Sequence, residues 1–224
     1  MRRIIVGSEP EVAEQYQRHF RAETDLAIKI LAEAYSEFQR LGRQVAQEPR
    51  CATVQLFVHV SINSVVTSMH HLVHGYPIAS GNMMRHFTEA IAMAMLCADE
   101  RTGVYARYEA NRAHFDVDSA SDLLTRKVNK KFLTQSLGFD SDAWSTVRKQ
   151  VKLYNKLSHA SGPALGYQFL FDVTGGLVLG AAFDPAKVDY YRSDLVRRRT
   201  AAAALKQVVP IILAALPRRS ETGA

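Results

Sequence analysis

The sequence predicts a mainly α-helical domain, a multi-helix bundle with a small β-hairpin in its C-terminal third. Three observations carry that expectation. Apolar residues recur at spacings of three and four over most of the first hundred positions, the period of a helix with one buried face. The glycines and prolines mostly fall between those runs rather than inside them. One short stretch, YQFLFDVTGGLVLGAAF, switches to a period of two.

Ser8 with Glu11 three positions on resembles a capping box, and Pro10 sits where a missing amide hydrogen is harmless. A first helix is therefore expected from about Glu9 to about Gln47, with Leu26, Ile30, Leu31, Tyr35, Phe38 and Leu41 supplying apolar surface and Pro49 breaking it. A second helix, roughly Ala52 to His74, carries Val54, Val58, Ile62, Val65, Met69 and Val73 as one core-facing stripe. His59, Asn63, Thr67, His70 and His74 share an adjacent arc of about 80°. Gly75 and Pro77 end that helix. NMMRHFTEAIAMAMLCAD then reads as a third helix, apolar on nearly every side and so expected to cross the core.

The more polar stretch from Glu100 onward predicts a bent helix, followed by a short one over Leu123 to Leu137. Acidic residues at Asp140 and Asp142 precede WSTVRKQVKLYNKLSH, as a helix N-terminus favours, and Ser161-Gly162-Pro163 stops that helix. Tyr167, Phe169, Phe171 and Val173 alternate with polar and smaller neighbours, and Leu177, Leu179, Ala181 and Phe183 do so after TGG, which predicts the hairpin over about 167–183. A last helix is expected over about 187–216 with a bend at Pro210, followed by a loose PRRSETGA terminus. No repeat or linker divides the chain, so residues 1–224 are read as one domain.

Composition narrows the function classes. With 47% hydrophobic and 22% charged residues among 224, the chain is ordinary globular material, which excludes a disordered or fibrous role. A formal charge of +6 favours encounter with nucleic acid or an anionic surface without specifying a site. Cys51 and Cys97 are the only cysteines and form no CxxC pair, a pattern suited to a reducing compartment. The apolar run after Arg2 and Arg3 is too short for a signal peptide, and AAAALKQVVPIILAALP is broken by Lys206, Gln207 and Pro210. The expectation is a cytoplasmic protein with no membrane partner. GxGxxG, GxxxxGK[ST] and GxSxG are all absent, and no cofactor is expected.

Four polar groupings are candidates for chemistry. His70 and His74, one turn apart in HHLVH with His59 in the same seam, are weak candidates for a metal pair, with a third ligand from His86, Glu89 or His159. The glutamate of a zinc-protease helix is missing, and hydrogen-bonded or solvent-facing histidines are the plainer alternative. Arg85 and Glu89, four apart, are read either as an interhelical anchor or as part of a substrate pocket. Arg148, Lys152, Asn155 and His159 share an arc of about 60°. Two cations there would hold a phosphate, Asn155 would orient it, and His159 would move a proton, while the competing reading is a solvated basic face. The run Arg197 to Thr200, with Arg192 and Lys206, would widen a positive surface for nucleic acid.

The helix with Arg85 and Glu89, followed by YNKLSHASG from Tyr154 to Gly162, resembles a group of bacterial all-helical proteins and, more distantly, HEPN-type domains, over about positions 50 to 183. That superfamily includes metal-independent RNases of toxin and phage-defence systems, in which an arginine followed by a polar residue precedes a catalytic histidine by a few positions. Asn155 and His159 match the polar residue and the histidine, with Tyr154 where the arginine stands; Arg107 and His114 offer a second arginine-to-histidine spacing. The resemblance implies RNA or another phosphate-bearing ligand as partner. His159 would then be general acid or base with Arg148, Lys152 and Asn155 beside it, and Arg85, Glu89, Arg107 and His114 would bind substrate. Two other readings stand beside it. One is a non-enzymatic interaction module, homodimeric through its long first and last helices; the other is a metal- or small-molecule-binding helical bundle.

Overall fold

The computed structural model describes residues 10–110, 154, 166–170, 176–177 and 180–219. Helix α1 spans Pro10–Gly42 with a kink at Phe20. Helix α2 spans Pro49–Val73, α3 Pro77–Ala98, α4 Val104–Ala110 and α5 Val188–Ala214. Single 3-10 turns at Glu100–Thr102 and Pro185–Lys187 lead into α4 and α5.

Punctuation residues act differently from their sequence reading in two places. Pro49 starts α2 rather than ending α1, and Pro77 starts α3, because a first-turn proline gives up no intrahelical hydrogen bond. The first helix consequently stops at Gly42, short of the expected Gln47. Gly75 ends α2 with φ +82°, and a Cβ there would lie 2.6 Å from a Val12 methyl and 2.8 Å from the Ala182 nitrogen. Only glycine fits that turn.

The core is helix on helix. All of the expected α2 stripe from Val54 to Met69 is buried, with Val73 half-buried at its end. Helix α3 does cross the core, burying Met84, Phe87, Ile91, Met93, Met95 and Leu96 against α2 and α5. Each such side chain removed from water contributes about 1.5–3 kcal/mol. The α3 C-terminus is held by Arg50, whose Nη1 donates to the Ala98 carbonyl at 2.8 Å while Nη2 meets Glu100 at 2.7 Å. A second cluster of Tyr16, Phe20, Leu72, Tyr191 and Leu195 joins the start of α1 to the start of α5. Helix α5 runs on through Pro210 to Ala214. Beyond it, Pro217–Arg219 is tied to the turn after α1: Ala46 N donates to the Pro217 carbonyl and Arg219 N to that of Gln44, both at 2.9 Å.

The expected β-hairpin is corrected: among the described residues the fold is helical, and the described part of 167–183 adds no β layer to it. Tyr167 and Gln168 are helical where a strand was expected, and Gly180–Asp184 carries no strand. Among the described residues, pairing in this region is confined to two residue pairs, Phe169 with Leu177 and Leu170 with Gly176. Tertiary contacts outbid the alternating pattern. The buried Lys187 ammonium takes the carbonyls of Tyr167 and Phe169, and the Tyr167 hydroxyl donates to Asp194 at 2.6 Å. The expected helix over 123–137, and that over 142–159 apart from Tyr154, lie outside the described residues.

Candidate functional site

Two seams along α2 bring polar groups together. Toward α3, the small residues Ser61, Ser64 and Ser68 lie on one face and let the helices approach closely. Ser68 Oγ donates to the Ser80 carbonyl at 2.8 Å, and Ser80 Oγ returns the bond to the Ser68 carbonyl at 2.5 Å. Arg198 of α5, 0% exposed, inserts its guanidinium over that pair. Its Nε lies 2.9 Å from Ser68 Oγ, its Nη2 2.7 Å from Ser80 Oγ, and its Nη1 donates to the Asp194 carbonyl at 2.6 Å. The buried Asp194 carboxylate accepts from Tyr167 and from Arg197 Nη1, both at 2.6 Å. Tyr154, the one described residue of its segment, is wholly buried, and burial pushes its hydroxyl above the usual tyrosine range while the Arg198 charge opposes that.

These contacts change the meaning of the basic run. Arg198 is internal, Arg197 is paired with Asp194, Arg192 meets Glu23 and Asp189, and Lys206 meets Glu33 at 2.8 Å. Most of the run's charge is thus committed to structural partners rather than displayed for a polyanion.

On α3, Arg85 Nε binds Glu89 Oε1 at 2.7 Å, with the two side chains 32% and 28% exposed. Beside them, Ser64 Oγ spends its hydrogen on the Val60 carbonyl at 2.8 Å and lies 3.0 Å from His86 Nδ1. His86 must then donate through Nδ1, which leaves Nε2 as its second polar atom.

The second seam faces α1 and is open. A groove with a cavity volume of about 580 Å³ runs between α1 and α2. Leu31, Ile62 and Met69 floor it, and Ile28, Ala32, Val66 and Val73 wall it. Among the described residues its polar lining is Gln17, Thr24, Tyr35, His59, Asn63 and His70, with no Asp, Glu, Lys or Arg. Ile28 stays 52% exposed and Val66 47%. Helix α2 is the one helix among the described residues long and apolar enough to cross a bilayer by length and composition, and half of the window that qualifies is buried in the fold.

The structure separates the proposed site residues. His70 lines the α1 groove, whereas the Arg85, His86 and Glu89 group meets α2 through Ser64, on another side of that helix. His70 and His74 stack with ring centroids 4.1 Å apart, and His74 Nδ1 donates to the His70 carbonyl at 2.7 Å. No group of three or more His, Cys, Asp or Glu side chains arranged to hold a metal occurs among the described residues. Arg107 is exposed on α4. His114, Arg148, Lys152, Asn155 and His159 lie outside the described residues. Both cysteines are buried, and burial pushes the Cys97 thiol up to about 12, which suits packing rather than nucleophilic chemistry.

The groove itself was only half legible. Its α2 wall continues a charge-free series, Leu56, His59, Asn63, Val66 and His70, at alternating spacings of three and four. Ile28 and Tyr35, seven apart on α1, are the matching signal on the other wall. The chain matches no protein-family model, no curated protein and no solved structure.

Proposed function

We propose that this all-helical protein is a ligand-binding bundle whose site is the groove between α1 and α2. The observation that carries the reading is the groove's make-up. Small-molecule sites are concavities of about 300–1,000 Å³, mostly apolar with a few placed polar groups, and this one has both the size and that lining. Keeping Ile28 and Val66 in water forgoes about 25 cal/mol for every Å² left uncovered, a penalty that an occupant removes. Titration with the environment-sensitive dye 1-anilinonaphthalene-8-sulfonate tests it. Saturable binding should fall about tenfold or more in Val66→Trp, which fills the groove from an exposed position without touching the core. Dye binding that both Val66→Trp and Ile28→Trp leave intact would refute the site.

A second reading is RNA binding or metal-independent RNA cleavage of the HEPN type. It is favoured by the partly exposed Arg85, whose guanidinium is oriented by Glu89 and retains donors for a phosphate, with His86 next to it. Its proton-transfer residue would be His159 and its further phosphate contacts Arg148, Lys152 and Asn155. Incubation with single-stranded and structured RNA in EDTA should show cleavage that is lost in His159→Ala and weakened in Arg85→Ala. Cleavage indifferent to both substitutions would remove this assignment.

A further inference from the structure

The groove has two ends, and their chemistry says what it accepts; the inference rests on the reading of the groove as the ligand site. Helices α1 and α2 fold back on each other across a short connection, so Tyr35 meets His59 at one end, ring centroids 6.4 Å apart. Gln17 and Thr24 accordingly line the other end together with His70 and Val73. At 1.5 Å per residue the lining runs about 27 Å along α1 from Gln17 to Tyr35 and about 21 Å along α2 from His59 to Val73. Its middle is aliphatic apart from Asn63.

The Gln17 end gathers imidazoles. His70 lines the groove, His74 stacks on it, and His71 lies next along with its ring 6.0 Å from that of His70 and 6.4 Å from that of Tyr76. Among the described residues that line the groove no carboxylate offsets them, and the other polar groups at this end, Gln17 and Thr24, are neutral and able to donate. An ammonium head would find no counter-charge among these described residues, whereas a carboxylate would meet hydrogen-bond donors. The shape argues for a narrow occupant. Two helix edges about 21 to 27 Å long and about 10 Å apart offer a strip on the order of 200–300 Å². That is well short of the roughly 800 Å² per partner that a second protein copy would need to bury.

We propose that the groove binds a free single-chain amphiphile with an anionic head, a fatty carboxylate. Its chain lies along Ile28, Leu31, Ile62 and Val66, and its head rests between Gln17 and His70. The naturally fluorescent fatty acid cis-parinarate and its methyl ester are the probes, titrated below their aggregation concentrations into the full chain. The acid should bind saturably and about tenfold more tightly than the ester. Val66→Trp should lose both ligands, whereas the exposed-site variant His70→Phe should lose the preference for the acid while still binding the ester. Equal affinity for acid and ester in the unaltered protein would overturn the head-group assignment and leave the groove standing as an apolar site. Failure of either ligand to bind, with anilinonaphthalene sulfonate still bound and displaced by Val66→Trp, would overturn the amphiphile class alone. If that dye too ignored Val66→Trp and Ile28→Trp, the groove reading would fall with it.

Discussion

Helix α2 meets α3 and α1 on opposite terms. Toward α3 its contact residues include Ser61, Ser64 and Ser68, and the helices close until a serine hydroxyl on each reaches the other's backbone carbonyl. Toward α1 it presents Ile62, Val66 and Met69 to Ile28, Leu31 and Tyr35, and a groove remains. Small side chains permit close backbone approach and then require polar partners for the groups they bury; larger ones hold the helices apart and leave hydrocarbon uncovered. The closed seam is therefore where substitutions should act on stability, and the open one where they should act on binding.

The sharpest way to break the comparison is to remove the guanidinium from the closed seam. Arg198→Ala strips donors from Ser68 Oγ, Ser80 Oγ and the Asp194 carbonyl, none of which water reaches readily. A buried ionic network that loses one member costs about 3–5 kcal/mol, and urea denaturation should show a loss of that order. A loss below about 1 kcal/mol, the level of an exposed pair, would mean the node is not buried in solution. Arg198→Lys should fall between, because an ammonium cannot reproduce the planar fork.

Next in size is Ser68→Val. The valine adds bulk where α2 and α3 nearly touch and deletes both the donor to the Ser80 carbonyl and an acceptor for Arg198. Overpacking and an unsatisfied buried carbonyl each cost about 1–3 kcal/mol, so the variant should unfold at distinctly lower urea with the slope unchanged. Val66→Thr on the open seam is the paired control.

The two seams were also unequally legible in the sequence. Helical periods placed α1, α2, α3 and α5 and the α2 core stripe, because a buried face leaves its mark at every turn. Arg198 was invisible as a core residue: within RRRT it is indistinguishable from a surface cation, and only its distance to Ser68 and Ser80 reveals the role. Its serine partners lie 130 and 118 residues away along the chain. The alternation from Tyr167 misled for a related reason, since Lys187, well downstream, takes backbone carbonyls that a strand ladder would have used, and Asp194 anchors the Tyr167 side chain. Of the proposed site residues, Arg85 and Glu89 meet as their spacing implied, whereas His70 belongs to a groove whose other wall lies some forty residues earlier.

On the open seam, charge should be tolerated by the fold and rejected by the ligand. Ile28→Asp places a carboxylate in a position already half in water, so its effect on stability should stay within about 0.5 kcal/mol. The same charge desolvated beneath a bound apolar ligand should reduce dye affinity by about tenfold or more. Isothermal titration alongside thermal melts separates the two effects. A large drop in melting temperature with unchanged dye binding would show that the α1 to α2 seam is closed in solution and invert the comparison.

The smallest expected effect is a pH dependence at the imidazole-rich end of the groove. Burial, and after it the proximity of His70 and His74, lowers the His71 pKa below the usual histidine value. The unfolded chain therefore takes up this proton first as the pH falls. The stability that the neutral imidazole confers is fully present above the unfolded value of about 6.5 and is lost as the pH drops through the lower folded value. His71→Gln has no such proton to bind. Urea midpoints measured from pH 8 to pH 5 should keep a constant difference between the two proteins above neutrality, and wild type should lose ground to His71→Gln as the solution becomes acidic. A difference that stays constant on acidification would mean that His71 is better solvated than its place beside His70, His74 and Tyr76 implies, and wild type gaining ground would mean that an anion lies near it.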